Sequence, residues 1–320
     1  VKAERDTAYV EIQGLKSTLF EVESELASVQ RSSESDQIHR QDAYEQLRGR
    51  LLGRLKRDAD LLEDGLHALR QSKPRVSVMD DHAEFIHHWL SSPPQTNEVR
   101  RAAVLMPCLA VLHRAFGLPV ELLELGTSAG LNLRVDQFDL SLGKASLGNL
   151  DSPVTLMPDW RGPLPPNELP PIIRRAGVDL SPLDPSDPDD ELRLLAYLWA
   201  DQPDRIERTR AAIRMARSIP AEISSGDAGV WLENELSTPA PDRLRVVFHT
   251  VAWQYFPGET RARAEAAMNA AKGPLARIEM EYDGGNGARV TLTKWPDGAT
   301  REVARADFHG RWVEWSGVTP

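Results

Sequence analysis

Cysteine is almost missing from this 320-residue chain. Its one thiol, Cys108, excludes an intramolecular disulfide framework and points to a reducing compartment. No apolar run reaches the ~20 residues of a membrane-spanning helix, and Val1 to Val10 mixes charge with apolar residues where a signal peptide has an apolar centre. The expectation is a cytoplasmic protein without a membrane partner; a first residue of Val reads as a chain lacking its native start. Positive charge is also short, with 38 Lys and Arg against 48 Asp and Glu and a formal net charge of −10. General nucleic-acid binding rests on neutralising phosphates and is disfavoured. His82, His87 and His88 have no compact set of companion ligands, and Cys108 does not complete one, so no metal is expected. What is present, 41% hydrophobic and 27% charged, suffices for one large core or two modest ones.

Three stretches differ in pattern. In residues 1–36, Ala8, Ile12, Leu15, Leu19, Val22, Leu26 and Val29 recur at alternating spacings of four and three, the a/d seam of a coiled coil. Glu11 and Lys16 fall at g and the following e, where charges on paired helices meet. The expectation is a homo-oligomer, a dimer in the simplest case; an amphipathic helix packed on its own domain is the alternative. Residues 37–81 hold a second helical pattern and a linker opened by Pro74, and the basic cluster Arg48, Arg50, Arg54, Lys56 and Arg57 reads as a solvated face.

In residues 82–320, short apolar runs alternate with helical stretches, as in an α/β domain with a mainly parallel sheet. The expected strands are 120–125, 172–179, 221–225, 244–250 and 275–282. A C-terminal antiparallel hairpin follows from 288–295 and 302–308 around Pro296, Asp297 and Gly298. An apolar helix is expected over 102–116, and the proline-dense stretch from Pro153 to Pro188 reads as loop.

The sequence ELLELGTSAGLN, residues 121–132, is a strand, an acid, and then Gly126 and Gly130 leading into a helix. Such a turn lets the backbone approach a ligand, and the helix start offers unpaired N–H groups. The spacing E-x-G-x-x-x-G departs from the G-x-G-x-x-G of dinucleotide enzymes, which disfavours NAD. Glu124 is instead expected to face the cationic end of S-adenosylmethionine (SAM), with Gly126, Ser128 and Gly130 beneath the cofactor; a glycine turn serving packing alone is the competing reading.

Six stretches fall in the order of one bacterial family: TNEVR (96–100), ELGTSAGLNLRVD (124–136), GVDLSPLD (177–184), LRLLAYLWADQPDR (192–205), VVFHTVAWQYF (246–256) and DFHG (307–310). From about Ala83 to Trp315 the chain resembles the domain of unknown function 2332 family. That resemblance brings no settled activity, and by analogy of fold type it implies a Rossmann-like sheet of the SAM-dependent methyltransferase kind.

On that reading Asp179, at the end of the second strand, accepts hydrogen bonds from the SAM ribose. Asp184 is the rival, and a helix-capping role is open for either. Asp227, after the third strand, recognises the adenine amine or caps the next helix. His249 and Tyr255 are the catalytic candidates, His249 as the base that takes the acceptor's proton and Tyr255 with Trp253 as aromatic walls; a hydrogen-bonded structural histidine is the other reading. Asn97, Glu98 and Arg100 are expected to line the acceptor pocket, unless Thr96 or Asn97 merely caps the following helix. The expected function is methyl transfer to a small-molecule or carrier-bound acceptor. The alternatives are a non-catalytic scaffold or ligand-binding module assembled through the coiled coil, and a different reaction in the same cleft.

Overall fold

A computed structural model describes residues 82–84, 87, 95–199 and 201–317. Contacts divide the chain into Val1–Pro93 and Pro94–Pro320, and the second unit carries the fold described below. The expected coiled coil, the second helical pattern and the Pro74 linker lie outside the described residues.

Strand β1 (Val120–Leu125) is buried along its whole length. Leu122 enters one hydrophobic cluster and Leu123 and Leu125 the other, so the strand feeds cores on both faces of a sheet. That double burial is why its sequence is a nearly continuous apolar run. The nine strands of this sheet are β1, β5 (Asp159–Arg161), β6 (Ile172–Asp179), β7 (Glu222–Ser225), β8 (Leu244–Thr250), β9 (Leu275–Tyr282), β10 (Ala288–Trp295), β11 (Ala299–Ala306) and β12 (Trp312–Trp315). Their order is β5-β12-β11-β10-β9-β8-β1-β6-β7.

From β7 to β9 all pairings are parallel, and β1 lies between β6 and β8 with Val120–Glu124 opposite Leu244–Phe248. The chain therefore leaves β1 toward one edge and later returns to its other side, which makes the carboxyl end of β1 a topological switch point. Strands β9 to β12 run antiparallel, and β5 closes that wing by pairing parallel to β12. A second sheet of three short strands, β2 (Asp139–Leu142), β3 (Ala145–Gly148) and β4 (Thr155–Leu156), is inserted between β1 and β6.

Helix α1 (Ala102–Phe116) is buried continuously from Ala102 to Leu112. Its apolar residues run all round the helix, as an element surrounded by core requires. It stops at Gly117, whose left-handed backbone (φ 64°) returns its N–H to the His113 carbonyl at 2.8 Å. Helices α2 (Pro188–Ala196) and α3 (Pro203–Ser218) contribute Leu194, Ala212 and Ile213 to the same cluster as α1. Helices α4 (Ala228–Leu236) and α5 (Gly258–Ala270) supply Leu232 and Met268 to the opposite one.

Two expectations need correction. The C-terminal hairpin is part of a four-strand antiparallel wing, and its second strand starts at Ala299, because Trp295, Pro296, Asp297 and Gly298 turn the chain and Ala299 already pairs with Lys294. The glycine turn does not open an α-helix: Leu131–Gln137 is a seven-residue 3-10 segment with a kink at Arg134. Arg134 donates to the carbonyls of Gly130, Ala216 and Ile219, drawing the segment against the end of α3.

Candidate functional site

The turn after β1 is held shut by its own backbone and by three other segments. Gly126 and Thr127 both donate N–H to the Val178 carbonyl on β6. Ser128 has a left-handed backbone (φ 52°), a conformation costly for a residue with a Cβ, and its N–H donates to Asp179 Oδ2 at 2.8 Å. The other Asp179 oxygen accepts from the Ser181 N–H at 3.0 Å. The Leu131 N–H donates to Asn97 Oδ1 at 3.0 Å, so Asn97 fastens the turn, and neither it nor Thr96 caps α1. Gly126 is required sterically: a Cβ there would lie 2.8 Å from the Ala252 Cβ in the loop after β8.

Glu124 sits behind this turn, 2% exposed, with the Thr127 hydroxyl donating to Oε2 at 2.6 Å. Burial pushes its pKa up to about 8, against the Thr127 hydrogen bond and the charge of Arg134. The carboxyl is thus close beneath the turn, where a cation above would favour its ionised form.

At the tip of β7 the Gly226 N–H donates to the Asp179 carbonyl, just before Asp227. Asp227 is the N-cap of α4: Oδ1 accepts the N–H groups of Gly229 and Val230, and Oδ2 accepts from the Thr260 hydroxyl. Its pKa is lowered because these hydrogen bonds outweigh the opposing desolvation. The rival ribose acid Asp184 is exposed and accepts from the Ser186 N–H, as the start of a local turn.

His249, at the end of β8, is wholly buried. Nδ1 is 2.7 Å from Glu281 Oε1, and that oxygen also accepts the N–H groups of Ala252 and Trp253. Trp253 stacks on the imidazole with centroids 4.8 Å apart, and the Arg277 guanidinium lies over the indole at 5.5 Å. These contacts make His249 a keystone of the loop after β8 and leave it no open face toward an acceptor in this conformation. Tyr255, by contrast, is 69% exposed.

Residues 95–100 divide their side chains between two places. Gln95 and Asn97 bond to the glycine turn, while Thr96, Glu98 and Arg100 line a cavity of about 490 Å³. Glu98 caps the short turn before α1 by accepting the Arg100 N–H, and its Oε2 lies 2.6 Å from Arg205 Nε. Arg101, next in the chain, is buried and donates to the carbonyls of Thr250 and Phe308, tying β8 to the DFHG loop. Burial lowers its pKa, against the charges of Glu98 and Glu281.

The structure therefore gathers Glu124, Gly126, Ser128, Gly130, Asp179 and Asn97 at one turn. Glu98 and Arg100 belong to the neighbouring cavity, and His249 stands behind the β8 loop. Sequence reasoning missed Arg101, Arg205 and Arg208. Arg101 follows TNEVR directly and Arg205 ends the 192–205 stretch, but no local pattern joins either to Glu98.

A family model described as an uncharacterized protein conserved in bacteria (DUF2332) matches residues 67–315. No curated protein and no solved structure matches the chain.

Proposed function

The chain belongs to the DUF2332 family, and we propose that its Rossmann-like domain binds SAM over the carboxyl ends of β1 and β6 and transfers the methyl group to a small-molecule or carrier-bound acceptor. The observation that carries this reading is the position of Asp179, at the tip of the strand beside the glycine turn and fixed by two backbone N–H groups. A carboxylate has about four lone-pair sites. With two in use, the rest are available to the paired hydroxyls of a ribose, the role of an acid at this place in nucleotide-binding sheets. The parallel order β7-β6-β1-β8-β9 supports the same reading, because open α/β sheets bind ligands at the switch point.

When bound, SAM would supply the methyl group to a nucleophilic atom of the acceptor and would leave as a neutral thioether. Alignment of the two reactants is the main demand on the protein. Trp253 and Tyr255 form the acceptor side in this reading, and His249 acts through Glu281 to hold the loop that carries them. A ligand-binding module without turnover is the second reading, favoured by the complete burial of His249.

Calorimetric titration of SAM and its demethylated product into wild type and Asp179→Asn tests the assignment. Asn keeps one acceptor oxygen for the turn but loses the charge, so SAM affinity falls roughly ten-fold or more. Equal affinity in a correctly folded Asp179→Asn protein removes Asp179 from the ribose site. No binding by wild type at millimolar concentration contradicts the proposal.

A further inference from the structure

The cavity on the far side of residues 95–100 has a composition that the SAM reading does not use. Three stretches distant in sequence, 96–100, 197–208 and 309–311, meet around it. At its base Glu98 is 2% exposed and faces Arg205 at 2.6 Å, Arg208 at 3.7 Å and His309 at 3.8 Å. One buried carboxylate thus serves two buried guanidinium groups here, and Arg101 also draws on its charge.

The Nη1 of Arg208 reaches the Asp204 carbonyl at 3.4 Å, and the opposite, Nε–Nη2 edge of the guanidinium is left without a hydrogen-bonding partner. Its side chain is nine-tenths buried, and neither Nε nor Nη2 has a hydrogen-bond partner. Burial lowers its pKa, and the neighbouring charge of Arg100 adds to the effect. Desolvated cations with unmet donors are costly unless an anion completes them. The Asp201 and Asp204 side chains at the rim are exposed, where solvent weakens their influence. Arg311 is held by Asp307 through Nε and Nη2. Burial and Arg205 lower the His309 pKa, against the charge of Glu98, which favours the neutral imidazole at the cavity wall.

The remaining wall contains Tyr197 and Trp199. Flat side chains beside a guanidinium pair suit a ligand with a planar group next to its charge. We propose that this cavity is a binding site for a small-molecule oxyanion, a phosphate monoester or a carboxylate attached to a flat ring, with Arg208 and Arg100 meeting the charge and Tyr197 and Trp199 covering the ring. The cavity is distinct from the glycine turn, since residues 95–98 stand between the two, with Gln95 and Asn97 bonded to the turn and Thr96 and Glu98 lining the cavity.

The probes are phenyl phosphate, benzoate and inorganic phosphate, titrated calorimetrically into the full chain at constant ionic strength with chloride as the control anion. Phenyl phosphate or benzoate saturates the wild-type protein, and the better of the two identifies the oxyanion; inorganic phosphate binds at least several-fold more weakly than phenyl phosphate because it lacks the ring. Arg208→Met keeps the apolar stem and lowers affinity by about ten-fold or more. Arg100→Gln, at a partly exposed position, gives a second reading of the charge should Arg208→Met fail to fold. Absence of saturation by both aromatic anions, or wild-type affinity in the folded variants, overturns the proposal.

Discussion

Replacing Glu124 by Gln exposes the electrostatic cost hidden beneath the glycine turn. The folded protein raises the Glu124 pKa from 4.5 to about 8, chiefly by burial. Above pH 4.5 the unfolded chain releases this proton while the folded chain keeps it, so the stability contribution is complete below 4.5 and is lost as pH rises through 8. At pH 7 the carboxyl is held neutral about 2.5 pH units above its unfolded pKa, which costs about 3 kcal/mol. Gln is neutral at every pH and retains an acceptor oxygen for the Thr127 hydroxyl. Its amide N–H groups need partners, which offsets part of the gain, and the net expectation at pH 7 is about 1–3 kcal/mol of added stability. For a domain of this size that is a rise of roughly 2–10 °C in melting temperature. Urea and thermal denaturation of both proteins from pH 5 to pH 8 measure it, with the variant's advantage growing across the interval. A variant less stable than wild type at pH 7, or an advantage that does not change with pH, refutes the argument.

Substitutions at two further positions test the framework around the site. Asp227→Ala removes the cap of α4 and lowers stability by about 1–2 kcal/mol in urea denaturation, and Asp227→Asn recovers most of the loss because its side-chain oxygen still accepts the Gly229 and Val230 N–H groups. Glu98→Gln leaves Arg205 buried without its counter-charge and destabilises by about 3 kcal/mol or more, measured in the same way.

The parallel strands were legible as short runs rich in apolar residues, most plainly β1 and β8, which are buried along their whole length. Val120–Leu125, Ile172–Asp179, Leu244–Thr250 and Leu275–Tyr282 agree residue for residue with the expectation. So does α1, whose left-handed stop at Gly117 is visible as a glycine after the last apolar turn. The pairing of β5 with β12 was not legible: Asp159–Arg161 lies among prolines, and its partner is far away in sequence. The 3-10 segment after Gly130 escaped for a related reason, since long-range bonds from Arg134 to the end of α3 accompany its kink and have no local signature.

Within the candidate site, the place of Asp179 at the end of a strand was legible, and so was the capping alternative for Asp227. His249 was placed on the right strand, but its environment depends on Glu281, Trp253 and Arg277, which surround it only after β8 and β9 pair. The charge cluster at Glu98 is still less local. Gln95 and Asn97 turn to the glycine turn and Thr96 and Glu98 to the cavity, yet the partners of Glu98 on α3 become known only when the chain has folded.

The proposed SAM site lies above Glu124 at the glycine turn. Titrating SAM into the wild-type protein at pH 7 in two buffers of different ionisation enthalpy tests it, because the buffer dependence of the heat counts protons. Saturable one-to-one binding with net proton release is expected, as the cation lowers the pKa of a carboxyl that is protonated beforehand, and less release with the neutral demethylated product. No saturable heat in either buffer at millimolar SAM would contradict it.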